Sequence, residues 1–220
     1  MDISLSQIKP IYPPKRPTPE APQTQSIISA LNLDLHPEGG YFRETDRHPH
    51  QVLNPFVRST SDRDIETRSA SSSILYFLTP QRPLGVFHRN QGRTVHVWQR
   101  GRGRYVIIHA DEVESESHGQ GHCPRAKARV ETFIVGPDVG SGERLQWVVG
   151  GGKYKSSFLL PDEPEGEASS GLLITEVVVP GFDLADHEFL RKDEMKDLLT
   201  ADQVEELSWM LKEYPDQEKE

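Results

Sequence analysis

The stretch GVFHRNQGRTVHVWQRG, Gly85 to Gly101, decides the fold. It holds two short runs rich in β-branched and aromatic residues, VFHRN and TVHVWQR, parted by a polar turn. Such runs read as strands, because branched and ring side chains pack well on a pleated surface. Alternation puts Thr94, His96 and Trp98 on one face of the second strand, and Val95 and Val97 on the other. The short turn predicts that the two strands pair as a hairpin, with the His88 and His96 imidazoles near one another.

The same pattern recurs outward from this stretch. SSSILYFLT, RYVIIHA, ETFIVG, LQWVVGG, KSSFLL and GLLITEVVVP are equally short and are bounded by Gly, Pro, Asp or Ser. Eight such strands, with no helical pattern between them, indicate an all-β sandwich or barrel. Residues 24–190 read as one domain, with inserts near 47–69, 111–129 and 161–170. Residues 1–23 are rich in proline and polar groups and read as a weakly ordered arm. Helical spacing over Thr24–Leu33 offers Thr24 as a cap. Residues 191–220 form a helical tail, in which Thr200 and Gln203 have capping-box spacing.

Composition excludes several classes of function. The net charge is −9, and an acidic chain without a basic stripe is a poor ligand for nucleic acid. Arg89 to Arg104 carries five arginines inside strand patterns; an anionic small molecule would suit them, but a solvated edge explains them better. The one cysteine, Cys123, permits no internal disulfide and fits a reducing compartment. No apolar run reaches the roughly 18 residues of a membrane span, and the N-terminus lacks the apolar core of a secretory signal. The expectation is a soluble cytoplasmic protein.

Within GLLITEVVVPGF (Gly171–Phe182), Ile174, Glu176 and Val178 share one face and Thr175, Val177 and Val179 the other. Both faces read as buried. A carboxylate there must pair, bind a cation or hold a proton. That makes His88, His96, Glu176 and Tyr154 the catalytic candidates, a histidine as base and Glu176 or Tyr154 as acid or orienter. The structural alternative is a salt bridge from Glu176 to a core-facing arginine. Tyr41, Tyr76, Phe87, Thr94 and Trp98 are candidates for substrate contact. No cofactor is expected; the alternative is a divalent metal on His88, His96 and Glu176, two imidazoles and a carboxylate. The HGQGHC segment (His118, His122, Cys123) has ligand types but reads as a surface loop. GRGRY lacks the third glycine and following helix of a dinucleotide fingerprint, and GGGKY reads as a tight turn.

The order of LNLDLHPEGGYFRET, SSILYFLT, VFHRNQGRTVHVWQRG, LQWVVGGGKYKSS and VVVPGFDLADHEFL resembles the Cupin_5-like family of the cupin superfamily, over roughly Leu31 to Leu190. The resemblance implies a double-stranded β-helix, or jelly-roll, barrel, a ligand pocket inside it, and a homodimer. Thr94 stands where cupins often carry an acidic metal ligand, Glu176 where this family commonly has cysteine, and Tyr154 where it has tryptophan. Loss of the acid at Thr94 weakens the usual metal site. The resemblance and the residues together imply metal-independent acid/base chemistry on a small organic molecule: isomerisation, epimerisation, cyclisation or dehydration, of a kind used in biosynthesis. A metal-dependent oxygenase and a non-catalytic ligand binder are the alternatives.

Overall fold

A computed structural model of the chain describes residues 4–12, 19–56, 67–116 and 126–213. Among these, the strands in order are β1 (Asp34–Leu35), β2 (Tyr41–Arg47), β3 (Gln51–Leu53), β4 (Thr67–Ser69), β5 (Ser72–Leu78), β6 (Leu84–Arg89), β7 (Arg93–Arg100), β8 (Gly103–Ile108), β9 (Val130–Val135), β10 (Gln146–Val149), β11 (Tyr154–Leu159), β12 (Leu172–Val179) and β13 (Glu188–Phe189). The helices are α1 (Pro22–Ala30), α2 (Ala110–Glu116), α3 (Lys192–Leu198) and α4 (Ala201–Leu207).

The strands build a jelly-roll barrel from two antiparallel sheets. One runs β1-β2-β5-β12-β7-β10 and the other β13-β6-β11-β8-β9, with β3 and β4 paired apart. Adjacent elements of the motif therefore part company. β6 and β7 do not form the expected hairpin: β6 lies between β13 and β11, and β7 between β12 and β10. The polar turn after Arg89 carries the chain from one sheet to the other. Both strands still present one face to the same interior.

Strand alternation then sorts the side chains. The apolar interior gathers Tyr76, Leu78, Tyr105, Ile107, Phe133, Val135, Trp147, Val149, Leu159, Leu172 and Ile174. The outer face of the five-stranded sheet is a second core, where Phe87, Val106, Ile108, Tyr154 and Phe158 meet Leu190, Met195, Leu198, Leu207 and Met210. Ile8, fully buried, joins that layer, and Trp209 Nε1 donates to its carbonyl at 3.3 Å. So residues 4–12 of the proline-rich arm are docked against the domain.

The outer face of the six-stranded sheet is only partly covered. Ile28 of α1 packs there with Leu33 and Phe77, flanked by Tyr41, Leu75 and Leu173. On β12, Leu172, Ile174, Glu176 and Val178 are buried inward, while Thr175 and Val177 are half-buried and Val179 is 45% exposed. The expectation of two buried faces fails because α1 reaches only part of this sheet.

Other local expectations sort in the same way. α1 starts at Pro22 after Ala21, so Thr24 lies inside the helix, buried, and does not cap it. Proline suits that first position because its missing N–H has no helical acceptor to find. The stretch 47–69 contains the β3–β4 pair as well as loop, and the insert near 111–129 opens as α2. Residues 57–66 and the HGQGHC segment lie outside the described residues. At α4, Gln203 N–H donates to Thr200 Oγ1 and Thr200 N–H to Gln203 Oε1, the capping box read from the sequence.

Candidate active site

Register brings the polar residues of the barrel together. In the six-stranded sheet Glu176 on β12 stands opposite His96 on β7. In the five-stranded sheet Lys155 on β11 stands opposite His88 on β6. Across the interior, Lys155 Nζ donates to Glu176 Oε2 at 2.7 Å and lies 3.0 Å from His96 Nε2. An ammonium group has no lone pair, so His96 Nε2 accepts and its proton resides on Nδ1. His96 Nε2 and Glu176 Oε2 are 3.4 Å apart. The His96 ring stacks on Trp147, with centroids 5.0 Å apart, and meets Tyr105 edge-on.

A second carboxylate enters from the β1–β2 connection. Gly39 has φ +108° and passes so close to the Leu84 carbonyl that any Cβ would collide with it. That approach lets the Glu38 carbonyl accept from Val86 N–H at 2.8 Å and turns the Glu38 side chain inward. Its Oε1 lies 2.7 Å from His187 Nε2 and its Oε2 3.2 Å from His88 Nε2, with His36 Nδ1 at 3.6 Å. The His88 and His187 rings stack at 5.5 Å. His88 Nδ1 is 2.9 Å from the Val86 carbonyl. A carbonyl only accepts, so Nδ1 carries a proton, and Nε2 is the nitrogen that gains or loses one against Glu38.

Burial and neighbouring charge set the protonation states. Burial pushes His88 down to about 4, with Lys155 adding to it and Glu38 opposing. Burial also lowers His96, with Lys155 next, and it lowers His36. For Glu176, burial favours the neutral acid, but Lys155 and His96 outweigh it and hold the group well below the usual carboxylate range. For Glu38, burial is likewise outweighed, by His88, His187, His36 and Lys155, and the group falls to about 2. The Tyr76 and Tyr105 phenols are raised well above their usual value, first by burial and then by nearby carboxylates. At neutral pH the interior therefore offers two carboxylates, a lysine, unprotonated His88 and protonated phenols.

Of the residues singled out in the sequence, His88, His96, Glu176, Thr94 and Tyr76 face the interior, and Trp98 packs against it. Three do not. Phe87 and Tyr154 belong to the outer layer under α3 and α4, one residue out of phase with His88 and Lys155. Tyr41 faces α1 and donates to Glu20 at 3.0 Å. The cation that answers Glu176 is Lys155, where an arginine was the structural expectation. Four residues of the cluster escaped the sequence reading: His36, Glu38, Lys155 and His187. The first two lie in HPEGGYFRET and the last in PGFDLADHEFL, within two of the stretches that carry the family resemblance. Lys155 had its own signal, since alternation along KYKSSFLL puts it on one face with Ser157 and Leu159.

The metal set of His88, His96 and Glu176 does not fit this geometry. Lys155 Nζ already stands against both His96 Nε2 and Glu176 Oε2, where a cation shared by those two ligands would sit. His88 Nε2 is turned to Glu38. Among the described residues, no three His, Cys, Asp or Glu side chains are arranged to hold a metal ion. Nor is any described helix long and apolar enough to cross a membrane.

A jelly-roll barrel with polar residues turned into it is the architecture that the cupin resemblance implied. The family model Cupin_5, described as Cupin superfamily (DUF985), matches residues 25–190, and the chain belongs to that family. It is 42% identical over 213 residues to the uncharacterized protein YML079W of Saccharomyces cerevisiae, covering 95% of this chain and 96% of that one. Among solved structures, a hypothetical protein from Leishmania major matches with a TM-score of 0.66 and 25% identity, over 86% of this chain and 98% of the other. Protein SO0799 from Shewanella oneidensis matches with a TM-score of 0.60 and 21% identity over the same shares, a likeness of fold.

Proposed function

We propose that the chain is a cupin enzyme that moves a proton on a small organic carbonyl compound held in the barrel, without a metal. The observation that carries this reading is the register of Lys155 opposite His88, with Lys155 tied to His96 and Glu176. Proton abstraction beside a carbonyl needs a base and a group that stabilises the oxygen as it gains charge. His88 is the base, a neutral imidazole at neutral pH; its Nε2 turns from Glu38 to take the substrate proton, and the imidazolium then donates that N–H to Glu38. Lys155 holds the carbonyl oxygen. His96 and Glu176 are positioning residues that fix the ammonium group by two hydrogen bonds. The location of Nζ between His96 and Glu176 supports chemistry without a divalent ion.

The expected homodimer has support of its own. Val95, Val97, Val148, Val177 and Val179 leave an apolar strip on the outer face of the six-stranded sheet that α1 does not cover. A second copy pressed against this strip would bury it, and Val177→Arg should shift the mass measured by light scattering from two chains to one.

The catalytic reading is tested by following C–H to C–D exchange of small carbonyl compounds in D2O by NMR. His88→Gln should slow exchange by about 10²- to 10⁴-fold, the usual contribution of a positioned base, while circular dichroism stays unchanged. Full exchange in a folded His88→Gln protein would remove His88 from this role.

A further inference from the structure

Lys155 and Glu176 are each left with unused hydrogen-bonding capacity. An ammonium group has three N–H donors, and among the described residues Nζ bonds only His96 Nε2 and Glu176 Oε2. Both contacts of Glu176, at 2.7 and 3.4 Å, are made by Oε2. Oε1 has no donor among the described residues, although Glu176 is only 8% exposed. One ion pair thus presents an open donor beside an open acceptor. Oε1 is not among the fully buried atoms left without a partner, so it stays reachable, and the pair matches a ligand that offers an acceptor and a donor on neighbouring atoms.

Charge and space narrow the ligand further. The interior sets two carboxylates, Glu38 and Glu176, against one ammonium group, and burial pushes His36, His88 and His96 toward the neutral form. A ligand carboxylate or phosphate would add a second uncompensated negative charge in a poorly solvated site, which is costly. The cluster is nearly closed: the side chains of His36, Glu38, His88, His187 and Glu176 keep only 12, 11, 8, 8 and 10% of their surface open.

We propose that the barrel takes a small uncharged hydroxycarbonyl compound, whose carbonyl oxygen accepts from Lys155 Nζ and whose adjacent hydroxyl donates to Glu176 Oε1. This rests on the Lys155 and Glu176 roles given above and adds the substrate class. The hydroxyl-bearing carbon beside the carbonyl carries an acidified C–H, the bond whose proton His88 would take and return. No oxidant or reductant is needed.

Three compounds of matched size test it by NMR titration: hydroxyacetone, acetone, which lacks the hydroxyl, and pyruvate, which carries a carboxylate in its place. Hydroxyacetone should bind at least about 10-fold more tightly than either, a difference of about 1.4 kcal/mol. Glu176→Gln removes the carboxylate but keeps an amide, so it should bring pyruvate to within about threefold of hydroxyacetone while the protein stays folded. Pyruvate binding as well as hydroxyacetone to the unaltered protein, or no binding of any of the three, would overturn the proposal. C–H exchange separates this from the catalytic reading. Preferred binding of hydroxyacetone without exchange keeps the substrate class and refutes the catalysis. Exchange of bound pyruvate that depends on His88 does the reverse.

Discussion

Glu176 and Glu38 lie in the same barrel, and their surroundings differ in one respect. Glu176 faces Lys155 at 2.7 Å and shares that ammonium with His96. Glu38 faces imidazoles, His187 at 2.7 Å, His88 at 3.2 Å and His36 at 3.6 Å. The first carboxylate is paired with a lysine amine on the facing strand. The second is held by imidazoles, with His187 donating at 2.7 Å, and Lys155 adds its charge. Glu176 therefore belongs to the fixed scaffold of the site, and Glu38 to the part where protons move.

The largest effect should come from breaking the fixed pair. Lys155→Met leaves Glu176 buried without its cation, and removing one partner of a buried pair costs about 3–5 kcal/mol. Urea unfolding should show that loss, and the double variant Lys155→Met/Glu176→Leu should recover most of it. A single variant as stable as the unaltered protein would mean that Glu176 is not compensated by Lys155. Breaking the other pair should act on turnover. Glu38→Gln keeps the shape but no longer stabilises the imidazolium, so exchange should fall about 10²-fold with a stability loss of only about 1–3 kcal/mol.

The difference should also appear in pH dependence. His88 is lowered to about 4 from an ordinary 6.5, so the unfolded chain takes up its proton first as the pH falls. Stability should then drop between pH 6.5 and 4, by about 1.4 kcal/mol per pH unit for that group. Glu38, lowered to about 2 from 4.5, contributes stability above pH 4.5 that is lost as the pH falls toward 2. His88→Gln should make the upper limb of a stability–pH curve less steep and Glu38→Gln the lower one, since His36, His96 and Glu176 are lowered too. The smallest effect is expected outside the barrel: Tyr154→Phe, in the layer under α3 and α4, should leave exchange within about twofold.

The fold was legible because its signal is local. Short β-branched runs such as TVHVWQR and TEVVVP declare strands, and alternation grouped His96 with Thr94 and Trp98 and Glu176 with Ile174 and Val178, without saying which face turns inward. What joins the runs is not local. A three-residue turn after Arg89 reads equally well as a hairpin or as a crossing between sheets, and only the pairing of β6 with β11 decides. The site divides along the same line. Glu176 was visible as a charge on an apolar strand, yet Lys155, 21 positions away in sequence, is the same kind of misfit on KYKSSFLL, and each answers the other. Glu38 and His187 lie 149 positions apart in connections, where no periodicity reports which way a side chain turns. Phe87 and Tyr154 do not face the barrel, because each is one step out of phase with a residue that does.

The comparison of the two carboxylates rests on Lys155 occupying the place between His96 and Glu176 that a shared metal would take. Elemental analysis of tag-free protein tests this most directly. Less than about a tenth of an equivalent of iron, manganese, nickel or zinc is expected after purification, with C–H exchange unaffected by a chelator. A full equivalent of one metal, whose removal abolishes exchange, would contradict it.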